Sequence, residues 1–363
     1  MFVENHITGS MIDQLIKKFP GSNFSGSEIK FYTGIEDEYK SLKHGVGIIV
    51  SFNKTIIKLT GKDTLDFLHR VSTNSVKDLK PFFRIPTLFL NEKGRFIDRT
   101  TLLNFEDHFL LIGNSNNNRL FNWIKKFIIM EEIQTDDLSN NYIVLDLFGS
   151  QAGSFLTLIL GEEIKSLNGD NVINPNVDGF HFSLFSLHEK NGLKYYRILL
   201  KPEQVIGFVE YILENKSVFD VNFVGSEAFN IFRIESGIPS YPSEINDEIN
   251  PHENDLLNEV SFTKGCYIGQ EVIARLDTYD KVQFNMIGYI FNENVNVDLP
   301  LTVKTNQNEE IGEVTSIAQS FLLDKTIGIG FIRKKKILPD TKLFVEAESK
   351  KIDLTVTGLP FSK

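Results

Sequence analysis

Cysteine is almost absent from this sequence: Cys266 is the single one in 363 residues. One thiol forms no disulfide within the chain and cannot cage a metal ion by itself, and this usage fits a reducing compartment. Long apolar runs are missing as well, since no segment reaches the roughly 18 consecutive apolar residues of a membrane-spanning helix. Near the start, Glu4, Asn5 and His6 stand where an export signal would carry basic residues and then an apolar stretch. These absences lead to the expectation of a cytoplasmic protein without a membrane partner. An excess of positive charge is also lacking, with 38 Lys and Arg against 48 Asp and Glu and a net charge of −10. That balance argues against general nucleic-acid binding, which needs a basic surface to neutralise phosphates. The one basic cluster, Arg333 to Lys336, precedes a proline and reads as a solvated turn. No internal repeat stands out, and no G-x-G-x-x-G marks a dinucleotide-binding half.

What is present is an ordinary globular composition, 41% hydrophobic, long enough to bury a large core in two or three domains. The 31 Phe residues recur at alternating or helical spacings, as in Phe182, Leu184 and Phe185 or Phe229 and Phe232, which marks them as core rather than a stacking platform. Periodicity predicts strands at Val46–Phe52 and Lys54–Leu59 joined tightly at Asn53, then a short helix over Gly61–Val71. Strands follow at Ile85–Leu90, Arg95–Leu103 and Phe109–Ile112, and a helix from about Asn116 to Ile129. A second unit comprises a strand at Tyr142–Phe148, a helix at Gln151–Leu160, strands at Phe180–Leu187 and Tyr195–Leu200, and a helix after Pro202. Strand and helix alternate without a long parallel run, which predicts α+β modules with antiparallel sheets.

Gly225–Gly237 reads as helical and leads into a polar, proline-containing loop, Ile238–Leu257, of a length uncommon unless functional. Beyond Lys281 only strand signals remain: Met286–Phe291, Leu301–Val303, Ile311–Ser316, Thr326–Ile332 and Lys342–Val345. They predict a small C-terminal barrel or jelly roll.

The densest chemistry lies in Lys264-Gly265-Cys266-Tyr267-Ile268-Gly269-Gln270-Glu271, followed by Arg275. Two glycines bracket the thiol and let backbone approach a ligand, while Lys264 and Arg275 would lower the thiol pKa if they lie nearby. The same residues also fit a tight connection into a helix around an inert, buried cysteine.

This octet with Arg275 resembles the K-G-C-[YF]-x-G-Q-E-x-x-x-R signature of the YgfZ family, a branch related to the glycine-cleavage T-proteins. The resemblance runs from about Gly45 to the C-terminal domain. Thr60-Gly61-Lys62-Asp63, Phe67-Leu68-His69 and Thr73-Asn74 resemble the first folate-domain segment of both groups. Arg233-Ile234-Glu235-Ser236-Gly237-Ile238-Pro239 is similar to R-[IL]-E-x-G-x-P, and Pro251, Glu253 and Leu256 to P-x-E-x-x-L. Ile311 to Ser316 is similar to the I-G-x-V-T-S strand. Gly94-Arg95-Phe96-Ile97-Asp98-Arg99 resembles the T-protein G-G-x-x-D-D, but its second acidic position carries Arg99. The T-protein stretch T-G-Y-T-G-E has no counterpart in Phe180–Phe208.

The resemblance implies an α+β ring of three domains with tetrahydrofolate in a central opening. Two of the domains would be ferredoxin-like and antiparallel, and the third a jelly-roll-like barrel. Its boundaries would be an N-terminal extension over residues 1–45, a discontinuous folate domain over 46–140 and 221–280, a second module over 141–220 and the barrel over 281–363. Cys266 and Asp98 become candidate catalytic residues, the latter as the carboxylate that handles a proton within reach of a folate nitrogen. Arg233 is a candidate for the folate's carboxylate tail or for bracing the pterin end, or else a helix-surface partner of Glu235 or Glu227. Asn74, Glu235, Lys264, Tyr267, Gln270 and Arg275 complete the expected folate-binding set, and no metal is expected.

The leading functional expectation is a monomeric folate-binding protein that supports assembly or repair of iron-sulfur enzymes, with iron-sulfur client or assembly proteins as partners. The second is a tetrahydrofolate-dependent aminomethyltransferase with Asp98 as acid/base. A third is a scaffold that has kept the fold and lost its ligand.

Overall fold

The computed structural model describes residues 6–361 except 27, 116–117, 280, 296, 335–341 and 348–349. Lys335 and Lys336 of the basic cluster therefore lie outside the described residues, as do Asn116 and Asn117 at the expected helix start.

The first half of the chain contains α1 (His6–Lys18), β1 (Asn23–Ser25), β2 (Glu28–Phe31), α2 (Ile35–His44), β3 (Val46–Ser51), β4 (Thr55–Thr60) and α3 (Thr64–Val71). Then come β5 (Arg84–Leu90), β6 (Phe96–Asn104), β7 (Phe109–Gly113), α4 (Arg119–Phe127) and β8 (Gln134–Asp137). Next are β9 (Ile143–Phe148), α5 (Ala152–Leu160), β10 (Asn176–Val177), β11 (Phe180–His188), β12 (Lys194–Leu200), α6 (Val205–Asn215) and β13 (Val221–Phe223). The remainder holds α7 (Ser226–Glu235), α8 (Gln270–Thr278), β14 (Phe284–Phe291), β15 (Leu301–Thr305), β16 (Glu310–Ser320), β17 (Lys325–Arg333), β18 (Leu343–Ala347) and β19 (Lys350–Thr357).

The chain divides into two compact units, each discontinuous in sequence. Unit 1 is Met1–Leu65, Asp78–Ile85 and Thr101–Phe229. Its core lies on a six-stranded sheet in the order β10-β11-β12-β9-β3-β13. Leu145 and Leu147 of β9, Ile198 and Leu200 of β12, and Val46 and Ile48 of β3 project into this core at the two-residue spacing of one sheet face. Helix α5 adds Ala152, Phe155, Leu156 and Ile159, and α6 adds Val205, Phe208, Val209 and Ile212, the i, i+3, i+4, i+7 pattern of a buried helical stripe. The expected tight pair of strands is not a hairpin. Strand β3 has β9 on one side and β13, in parallel, on the other, so β4 pairs with β7 and β8 in a separate five-stranded sheet, β5-β6-β7-β4-β8.

Unit 2 is Asp66–Lys77, Pro86–Thr100 and Asn230–Lys363. It contains a closed antiparallel barrel in the order β14-β17-β16-β15-β18-β19, shut by pairing of β14 with β19. Tyr289, Phe291, Val303, Val314, Val345 and Leu354 fill it. A second cluster joins Leu88, Leu90 and Phe96 to Ile245, Ile249, Leu256, Val260, Tyr267 and Ile273. The long loop after α7 thus buries its few apolar residues here, together with Glu244, Asn250, Glu253 and Asn254. The fold is α+β with several modules, as the alternation of elements predicts.

Candidate active site

The expected site residues all fall in unit 2. The segment after α3 organises them. Thr73 is fully buried, and its amide donates to Leu88 O while its hydroxyl accepts from Leu88 N and donates to Glu259 O, at 3.0, 3.0 and 2.8 Å. Ser261 N donates to Thr73 O at 3.0 Å. One threonine therefore laces the chain after α3 to β5 and to the stretch that leads into the octet. Asn74 is half-buried, and its side chain is engaged locally: Nδ2 donates to Pro86 O at 2.9 Å and Oδ1 accepts from Ser75 N at 2.8 Å.

Lys264 reaches the same segment from the other side. Its Nζ donates to the carbonyls of His69, Ser72 and Asn74, the last two at 2.7 and 2.9 Å. Nζ also stands 5.3 Å from the ring centroid of Tyr267. Burial lowers the Lys264 ammonium to about 8 and raises the Tyr267 hydroxyl to about 12, because each charged form loses hydration. Between these two anchored side chains, Gly265 and Cys266 are exposed. Cys266 is therefore not the buried cysteine of the alternative reading. Gln270 opens α8 with its amide 3.2 Å from Tyr267 O, and Arg275 lies exposed further along that helix.

Gly269 takes a left-handed φ of +85° just before α8. A Cβ there would stand 2.7 Å from Asn91 O and 3.1 Å from Gly94 Cα. The second glycine of the octet serves a close approach to the β5–β6 turn rather than to a ligand.

Asp98, on β6, is fully buried, which rules out a solvated strand position. Its Oδ1 accepts from Arg99 N at 2.8 Å. The Arg99 guanidinium pairs with the buried Glu259 carboxylate at 2.6 Å. Arg99, Glu259, Thr73 and Lys264 thus link the segments at 98–99, 73–74, 259–261 and 264 through a series of contacts. Beside it Arg95 pairs with Glu253 at 2.7 Å, and burial raises the Glu253 carboxyl above the usual range against the pull of Asn250 N and Arg95.

Arg233 and Glu235, expected at the ligand, are built into a different brace. Arg233 is buried and donates to Asn230 Oδ1, Glu244 Oε2 and Ser316 Oγ at 2.9, 3.0 and 2.7 Å. Its partner is Glu244 rather than Glu235 or Glu227, and desolvation lowers its pKa while Glu244 opposes the shift. Glu235 accepts from Ser320 Oγ at 2.7 Å and from Leu322 N at 3.3 Å, which ties α7 to the β16–β17 connection. Sequence reasoning missed Glu244 and Glu259. Each is a carboxylate beside an apolar residue in an irregular stretch, and nothing local separates such a residue from a solvated one. Among the described residues, no group of three or more His, Cys, Asp or Glu side chains is arranged to hold a metal ion.

Comparison with known proteins agrees with this architecture. The family description "GCVT N-terminal domain" matches residues 17–264, and "Glycine cleavage T-protein C-terminal barrel domain" matches residues 299–363. The chain belongs to the glycine cleavage T-protein family. Similar family members include an aminomethyltransferase of Bacillus cytotoxicus, 28% identical over 349 residues that cover 94% of this chain and 93% of the relative. An aminomethyltransferase of Halothermothrix orenii is 24% identical over 332 residues, 91% of this chain and 92% of that one. The crystal structure of the glycine cleavage system aminomethyltransferase T from Bartonella henselae superposes with a TM-score of 0.84 at 21% identity and covers 97% of both chains. The T-protein fold is thus present along nearly the whole chain.

Proposed function

We propose that this protein is a tetrahydrofolate-dependent aminomethyltransferase, with Asp98 as its acid/base. The observation that carries the reading is the fully buried Asp98 carboxylate at the position that resembles the first acid of the T-protein pair. Relatives named aminomethyltransferase that align over more than nine-tenths of the chain support it. This reverses the order of the two readings taken from sequence.

The residues fit the proposed ligand in kind. A pterin presents N–H donors that suit a carboxylate such as that of Asp98. When bound, tetrahydrofolate supplies the nitrogen that accepts the one-carbon unit. Asp98 holds the exchanging proton on its carboxylate, and Arg99 N–H fixes the orientation of that group through Oδ1. The Arg99–Glu259 pair supplies no net charge.

Titration of the purified chain with tetrahydrofolate tests binding, and a lipoyl carrier loaded with an aminomethyl group tests transfer. Asp98→Asn is expected to keep saturable binding and to slow transfer by about 100-fold or more, the scale of a lost general acid/base. Absence of transfer by the unmutated protein with a matched carrier rejects the reading.

A second reading is favoured by one observation, the exposure of Cys266 on a loop that resembles the YgfZ signature. In it the folate-bound protein supports iron-sulfur enzymes and the thiol acts on them directly. Cys266→Ala would then fold and bind tetrahydrofolate but fail to sustain iron-sulfur enzyme activity in cells. Full activity in cells that carry the variant sinks it.

A further inference from the structure

The proposed reaction leaves the Lys264 amine without a task. A lysine ammonium has three N–H donors and no acceptor. All three directions are met by backbone carbonyls, those of His69, Ser72 and Asn74. His69 lies in the last turn of α3 and Ser72 just beyond it, where carbonyls lack partners within the helix and the helix dipole is negative. The amine therefore caps α3 and reaches on to Asn74, with its donor capacity committed. It has no proton left to offer a folate carboxylate or a thiolate.

We infer that Lys264 is a positioning residue rather than a ligand contact: its ammonium is a tripod that ties the chain at 69–74 to the loop that displays Cys266. Independent contacts run the same way. Ser261 N donates to Thr73 O at 3.0 Å, and Tyr267 is buried in the core cluster on the far side of the thiol. The loop is thereby pinned before and after Cys266, and Gly265, around which a Cβ would meet nothing within 4 Å, faces outward with the thiol. Through Thr73 and Glu259 the same clamp fixes the strand end that bears Asp98 and Arg99. Arginine cannot replace it, because a planar guanidinium fork does not direct three donors at three carbonyls converging on one nitrogen. Burial lowers the ammonium to about 8, whereas three carbonyl oxygens aimed at the nitrogen favour the charged form.

Amide hydrogen exchange on the full chain tests the clamp without any ligand. Lys264→Met and Lys264→Arg are both expected to speed exchange at Thr73 and Ser261 by roughly tenfold or more, with the barrel strands unchanged. Native exchange rates in the Met variant, or their restoration by Arg, overturn the inference. Should the Met variant fail to fold, the unmutated protein decides: a lysine ammonium nitrogen resonance with slowed proton exchange is expected at neutral pH, and its absence overturns the tripod. The effect on the site rests on the tetrahydrofolate reading. There, both variants are expected to weaken tetrahydrofolate binding by a similar factor of about ten, as small misplacements do. A loss in Met that Arg repairs would mark a direct ionic contact and overturn the positioning role. If the unmutated chain does not bind tetrahydrofolate, that reading fails alone, because the exchange experiment judges the clamp separately.

Discussion

Two nitrogens of the Arg99 guanidinium, Nε and Nη2, converge on one oxygen of Glu259, Oε1, at 2.8 and 2.6 Å. Arg99 occupies the position where the T-protein-like segment carries its second acid, and Glu259, 160 residues away along the chain, neutralises the charge that the arginine brings. Removing either partner strands a charge that little water can reach. Glu259→Gln is expected to lower stability by about 3 kcal/mol, and Arg99→Gln added to it should recover part of that loss. Chemical denaturation of the single and double variants measures the coupling, and additive losses would show that the two side chains do not depend on each other.

Glu244 has no exposed surface, and its carboxylate accepts from Arg233 Nη1, Ser240 N, Ser240 Oγ, Thr315 Oγ1 and Ser316 Oγ at 3.0, 3.0, 3.1, 2.6 and 2.6 Å. Glu244→Ala leaves a buried guanidinium and several donors without their acceptor, with an expected cost of about 3–5 kcal/mol. Arg233→Lys by itself should also lower stability, since a single ammonium cannot reach Asn230, Ser316 and Glu244 in their present places. Urea unfolding followed by circular dichroism tests both.

The two glycines of the octet should behave differently. Gly269→Ala places a Cβ against Asn91 O in a left-handed backbone conformation, so a loss of about 2 kcal/mol or more is expected. Gly265→Ala points into open space and should change stability by less than about 0.5 kcal/mol. Comparable melting temperatures for the two variants would contradict the packing described for Gly269.

Lys264 gives a pH dependence of defined sign. Its folded value, lowered to about 8 by burial, lies below the ordinary lysine value of 10.5. Between these two the unfolded chain holds more protons than the folded one, so this group's contribution to stability rises with pH across that window. The melting temperature of the native protein is therefore expected to gain on that of Lys264→Met from pH 8 upward. A difference that stays constant over that range would mean that the three carbonyls offset the loss of hydration and hold the amine at its ordinary value.

Much of the fold was legible because periodicity records burial. Five barrel strands and the helices α5 and α6 follow from apolar spacing alone, whereas α1 and α2, which also pack on the six-stranded sheet, do not. The strand Lys350–Thr357 went unread although Ile352 and Leu354 alternate with exposed residues, because its polar positions outnumber its apolar ones. The pairing of Val46–Ser51 and Thr55–Thr60 was misjudged since a short connection looks the same whether the strands pair or part into two sheets. The helix expected from about Asn116 begins at Arg119.

The sequence by itself determined the family, the α+β class, the barrel and the stretches that carry the chemistry, because motifs and spacing are properties of one local segment. Only the tertiary structure decided which charges meet. Arg233 faces Glu244, Arg99 faces Glu259, and Lys264 faces three carbonyls, the last two set by packing between segments distant in the chain. Burial fixed the rest: it hides Asp98, which a strand position could have exposed, and leaves outside the one thiol that composition would have placed within.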